Sequence, residues 1–189
     1  LVDYPGYGAS AGEPSLSNCC ETAARALSFL LDLEAEEVPK VWLMGRSVGS
    51  IFALDAASKC GQEGDSSRVA GLILESAIAN LSQRLDIRVP YAVLGISKEA
   101  FHAEVAADFD HRQKIQSAQL PTLILHCAND SLVPAWHGQQ LADWAGPALS
   151  KLVLFPRGDH NTIHVANAES YEQELGSFLR PARRSPTGM

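Results

Sequence analysis

The sequence predicts an α/β fold, a mostly parallel sheet with helices on both faces. Two observations predict it. Four short runs are almost wholly apolar: "KVWLM", "RVAGLILESA", "LPTLILHC" and "SKLVLF". Strands of that kind are buried on both faces, as in parallel sheets rather than antiparallel ones. Stretches with apolar residues at helical spacing stand between them, and alternation of strand and helix is the pattern of parallel crossover units.

The elements follow in order. "LVDYPGYGAS" reads as the last residues of a strand and the turn after it, with no strand start before it. The expected fold is therefore N-terminally truncated, the start of this strand lying upstream of Leu1. "SLSNCCETAARALSFLLDLEAEE" carries apolar residues at Leu16, Cys20, Ala23, Leu27, Leu30 and Leu31, steps that define one helix face. Ser15 or Asn18 is its expected cap, Asn18 with Glu21 three residues on. "KVWLMG" is a buried strand, and "SVGSIFALDAASKCG" a small-residue helix with Gly61 as its expected stop. Strands at "RVAGLILESA", "LPTLILHCAND" and "SKLVLFPRGDH" follow, with a helix opened by Pro134 before the last of them. The final helix, "NAESYEQELGSFLR", puts Tyr171, Leu175, Phe178 and Leu179 on one face. Residues 1–180 are expected to form one domain. Residues 78–119 are expected to be a cap or lid inserted between two strands, and 181–189 a disordered polar tail.

Composition narrows the function. The chain has 189 residues, enough for one domain with a substantial core, and is 46% hydrophobic and 20% charged. A net charge of −7 argues against a nucleic-acid partner. No apolar run reaches membrane-spanning length. Association with a membrane surface stays open. Cys19, Cys20, Cys60 and Cys127 include no C-x-x-C pair, which disfavours a zinc site. Free thiols, with Cys19 and Cys20 on different faces of one helix, fit a reducing compartment such as the cytoplasm.

One motif carries chemistry. "GRSVG", residues 45–49, matches G-x-S-x-G where an apolar strand meets a helix, the strand–turn–helix of a nucleophile elbow. Such a turn strains Ser47 and lifts its hydroxyl clear of the sheet. Gly45 and Gly49 are expected because a Cβ at either position would clash. The Val48 N–H at the start of the helix would face a developing oxyanion. A serine capping a helix after a glycine turn reads the same five letters equally well.

A serine nucleophile needs a base, and the base a carboxylate to orient it. Asp130 and His160 each follow a strand directly, so with Ser47 they converge on the rim shared by parallel strand ends. The order Ser…Asp…His is that of hydrolases built on such sheets. Glu75, at the end of "LILE", is the rival acid. His164 is the rival base. His126 lies in a strand and reads as core, His102 and His111 fall in the insertion, and His137 is on a helix. The Asp159 side chain is expected to diverge from its neighbour His160. Asp65 and Asp143 have no route to the rim.

With these stretches together, the chain resembles an alpha/beta-hydrolase fold serine hydrolase, of the alpha/beta-hydrolase-domain-containing group of depalmitoylases and lipid hydrolases. That group is similar in turn to serine aminopeptidases and prolyl oligopeptidases. The matching stretches are "VDYPGYGASAGEPS", "GRSVGS", "HCANDSLVP" and "FPRGDHN". Cys127 departs from the glycine usual there, as a packing change. The resemblance implies Ser47 as nucleophile, Asp130 as acid, His160 as base, and an acyl-enzyme formed from an ester, thioester or amide of a small or acylated substrate without a cofactor. It places a second oxyanion donor, and a strand beside "KVWLM", upstream of Leu1. The isolated piece is then expected to associate and to turn over esters poorly. A hydrolase-fold module that binds without turnover is the alternative. Dehalogenation is disfavoured, since it uses a carboxylate at the elbow.

Overall fold

A computed structural model describes residues 2–63, 66–86 and 90–180. The tail at 181–189 and Asp65 lie outside the described residues. The sheet contains β1 (Val41–Arg46), β2 (Val69–Glu75), β3 (Thr122–Cys127) and β4 (Leu149–Phe155), in that spatial order and parallel throughout. Register aligns the strand ends. Arg46 pairs with Glu75, Glu75 with Leu125, and Cys127 with Phe155, so the loops after all four strands open on one rim.

Alternation along the strands divides the core between two faces. Leu72, Leu74 and Ile124 point into a cluster with Ala53, Leu54 and Ala57 of α2 (Gly49–Glu63). Ile115 of α6 (His111–Ala118) and Leu141 of α7 (Trp136–Ala145) complete it. Ile73, Leu123 and Leu125 point the other way, onto Ile163 of α8 (Ile163–Ala166) and Tyr171 of α9 (Ala168–Leu179). The helices on both faces are therefore in place.

α1 (Leu16–Asp32) lies against α2, and its cap is Ser15, whose Oγ accepts from the Asn18 N–H at 3.0 Å. Asn18 instead reaches back to the Glu13 carbonyl. Cys19 and Cys20 are neighbours on this helix, and both thiols are free and buried. Both are buried in one apolar cluster with Ile51, Phe52 and Val133, because this end of α1 is packed on more than one side. At the other end, the Arg68 guanidinium donates to the carbonyls of Leu30, Leu31 and Leu33, closing the helix where it has no basic residue of its own.

Gly61 does not stop α2, which runs on to Glu63. A Cβ on Gly61 would sit 2.7 Å from the Ser117 carbonyl oxygen, so the glycine permits the close approach of α2 to the end of α6. The 78–119 segment also divides. α3 (Leu81–Asp86), α4 (Tyr91–Leu94) and α5 (Lys98–Asp108) are short outer pieces, and α5 buries none of its residues. α6 buries His111, Ile115 and Ala118 and serves as a core helix of the crossover from β2 to β3. Among the described residues no helix is long and apolar enough to cross a membrane.

Three imidazoles are buried in this core: His111, His126 and His137. Burial pushes each below the ordinary imidazole value of 6.5, His137 to about 4. The unfolded chain therefore takes up these protons first as the pH drops. Their contribution is full above the unfolded value and is lost as pH falls below it, for His137 over the range down to about 4. The melting temperature is expected to fall steadily between pH 7.5 and 5. A flat profile would show that the imidazoles are not held neutral.

Candidate active site

The elbow is built by the junction of β1 and α2. Ser47 has φ +52°, in the left-handed region that side chains avoid at a cost of roughly 1–3 kcal/mol. Hydrogen bonds on both sides hold it there. Its N–H donates to the Glu75 carbonyl at 2.9 Å, and its own carbonyl accepts from the Ser50 N–H at 3.0 Å and the Ser50 hydroxyl at 2.6 Å. The Ser50 hydroxyl oxygen accepts in turn from the Ile78 N–H. A Cβ on Gly45 would lie 2.5 Å from the Gly49 carbonyl oxygen and 2.6 Å from Ser50 Cα, so the first glycine of the motif is required by space. Gly49 is different. A Cβ there would meet nothing within 4 Å, because this first residue of α2 borders an open cavity rather than the sheet. The expected clash at Gly49 is not found.

Asp130 sits just beyond β3 and is buried. Its Oδ1 accepts from the N–H groups of Leu132 at 3.0 Å and Val133 at 2.7 Å, and its Oδ2 lies 2.8 Å from His160 Nδ1. Every one of these partners is a donor, the arrangement a carboxylate accepts. His160 follows β4 and is also buried. Because Nδ1 faces the carboxylate it carries the proton, which leaves Nε2 as the acceptor. Nε2 is 2.9 Å from Ser47 Oγ. The sheet thus brings Ser47, His160 and Asp130 into one line of hydrogen bonds.

The rivals stand outside this line of hydrogen bonds. His164 is exposed on α8. His126 is buried in β3 beside the site: its Nε2–H donates to the Val133 carbonyl at 2.8 Å and lies 3.5 Å from Asp130 Oδ2, out of reach of the Ser47 hydroxyl line. His137 accepts at Nδ1 from the Ala79 N–H and stacks on Trp136, and His111 Nδ1 donates to the Ile78 carbonyl. Asp159 turns away from its neighbour, as expected. It accepts from the Asn161 and Thr162 N–H groups and from the Thr162 hydroxyl, which hold its carboxyl below the usual range. Glu75 is buried at the rim, where it is paired with Arg46 Nε at 2.8 Å and with the Tyr171 hydroxyl. Sequence reasoning missed both partners. The only trace of them was an arginine inside the motif and a tyrosine on an otherwise apolar helix face. Cys127 is fully buried, with its Sγ donating to the Arg157 carbonyl, and burial pushes its thiol up to about 11.

A cavity of about 600 Å³ adjoins the elbow, bordered by Arg46, Val48 and Gly49 and walled mainly by Tyr4, Tyr7, Leu16 and Phe52. Among the described residues no group of three or more His, Cys, Asp or Glu side chains is placed to hold a metal ion.

No family model matches the chain. Protein bem46 of Schizosaccharomyces pombe is 28% identical over 179 residues, 95% of this chain and 56% of that protein. Alpha/beta hydrolase domain-containing protein aho-3 of Caenorhabditis elegans is 25% identical over 177 residues, 94% of this chain and 47% of that protein. The chain spans about half the length of these relatives. Among solved structures, alpha/beta hydrolase domain-containing protein 10 from mouse superposes with a TM-score of 0.63 at 20% identity, over 94% of this chain and 75% of that one. The parallel sheet, the helices on both its faces and these likenesses agree: the chain has the alpha/beta-hydrolase fold.

Proposed function

We propose that the protein is a serine hydrolase that cleaves an acyl bond, ester, thioester or amide, through an acyl-enzyme. The observation that carries the reading is the unbroken line from Ser47 Oγ to His160 Nε2 and from His160 Nδ1 to Asp130 Oδ2, at 2.9 and 2.8 Å. As Ser47 Oγ attacks the carbonyl carbon, its proton passes to Nε2. The imidazolium that forms is stabilised by the Asp130 carboxylate on its other side. The carbonyl oxygen becomes an oxyanion. No described residue supplies an acceptor for the Val48 N–H, which is the donor available to that oxyanion from the elbow. Collapse expels the leaving group, which takes the proton from His160. Water, deprotonated by the same Nε2, then attacks the acyl-serine and releases the acid. The apolar cavity beside Val48 is the seat for the acyl portion.

Pre-steady-state hydrolysis of p-nitrophenyl acetate by the full-length protein tests this. The expected result is a burst of p-nitrophenolate equal to the concentration of active sites, followed by slower turnover. Ester binding without a burst or turnover would support the alternative, a module that binds acyl compounds and does not cleave them.

A further inference from the structure

Arg46 fills the variable position of the elbow, between Gly45 and Ser47. β1 and β2 pair it with Glu75, so the two side chains stand on the same face of the sheet at the rim. Glu75 is 3% exposed, and a carboxylate so far from water needs donors. Arg46 Nε supplies one at 2.8 Å and the Tyr171 hydroxyl another. The guanidinium does not end there. Its Nη2 donates to the backbone carbonyl of His160 at 2.6 Å and lies 3.2 Å from Asn161 Oδ1. The His160 loop lies outside the regular elements of the sheet. Its entry is tied at the Pro156 and Arg157 carbonyls by Asn129 and Asn167, and Asp159 braces it from within. The bond from Arg46 ties His160 itself to the strand that carries the nucleophile.

We propose that Arg46 is a positioning residue: anchored by Glu75 and Tyr171, its guanidinium pins the His160 backbone so that the imidazole stays in line between Asp130 and Ser47. The proposal rests on the reading of Ser47 as nucleophile and His160 as base. A planar fork is needed because two partners must be served in different directions. Lysine carries the same charge on a single ammonium and satisfies Glu75 without also reaching the His160 carbonyl. Glu75, weighed as a rival for the acid, acts here one residue removed from the base, through Arg46.

The charge and the reach of Arg46 separate in the variant Arg46→Lys. Its melting temperature is expected to stay close to wild type, because buried Glu75 keeps a cation. The rate of Ser47 labelling by a fluorophosphonate, and kcat on p-nitrophenyl esters, are expected to fall on the order of 10- to 100-fold with KM little changed, as for a displaced catalytic group. Glu75→Gln, which frees the guanidinium, is expected to lower kcat in the same direction by about ten-fold or less. The downfield imidazole N–H resonance of His160 gives a readout independent of turnover, and it is expected to broaden or vanish in Arg46→Lys. Wild-type labelling rate and an unchanged resonance in Arg46→Lys would overturn the positioning role alone. A wild-type protein that is not labelled at Ser47 would overturn the reading beneath it as well.

Discussion

Ser47→Ala is expected to lower kcat on p-nitrophenyl esters by on the order of 10⁶, with the melting temperature little changed. The loss is large because the hydroxyl is the only atom the line of hydrogen bonds serves. Without it, His160 Nε2 has no proton to take and Asp130 orients an idle base. The fold is spared, since the bonds that hold the strained turn run from the backbone of residue 47 to Glu75 and Ser50. Measuring kcat and melting temperature on the same preparation checks both halves. Ester turnover surviving within ten-fold in a well-folded variant would place the nucleophile elsewhere.

Asp130→Asn is expected to lower kcat by on the order of 10⁴ while leaving the shape of the site intact. The geometry gives the reason. Two backbone N–H groups, from Leu132 and Val133, converge on Oδ1, so the amide oxygen must occupy that position. The amide NH₂ then faces His160 Nδ1. Donor meets donor unless the ring changes tautomer, and the tautomer that relieves the clash carries its proton on Nε2. It cannot accept one from Ser47. Glu75→Gln has no such effect, because Glu75 meets Arg46 and Tyr171 rather than an imidazole. Comparable losses at the two positions, or a larger one at Glu75, would return the role of acid to β2.

The parallel sheet was legible because each strand is a short, almost unbroken apolar run, a pattern that surface strands lack. Ser47, Asp130 and His160 stood out by their place directly after strands, since parallel strands bring their ends to one rim whatever the distance along the chain. Contacts between elements were not legible. Gly61 looked like a helix stop because glycine suits that role, but its reason is a carbonyl from α6 that no local pattern announces. The 78–119 segment read as one insertion because α6 has a polar sequence. Only the packing of Ile115 and Ala118 shows it to be a core helix. The tie from Arg46 to His160 spans 114 residues and ends on a backbone carbonyl, which leaves no mark on residue type.

The central claim is that Ser47 is the hydroxyl activated by His160. The most direct test is the site of covalent modification. The protein is treated with a fluorophosphonate at pH 7.5, digested, and the adduct located by peptide mass. The account predicts one adduct per chain, on Ser47, absent in His160→Ala on the same timescale. An adduct on another serine while Ser47 stays free, or labelling of Ser47 at the wild-type rate without His160, would contradict it.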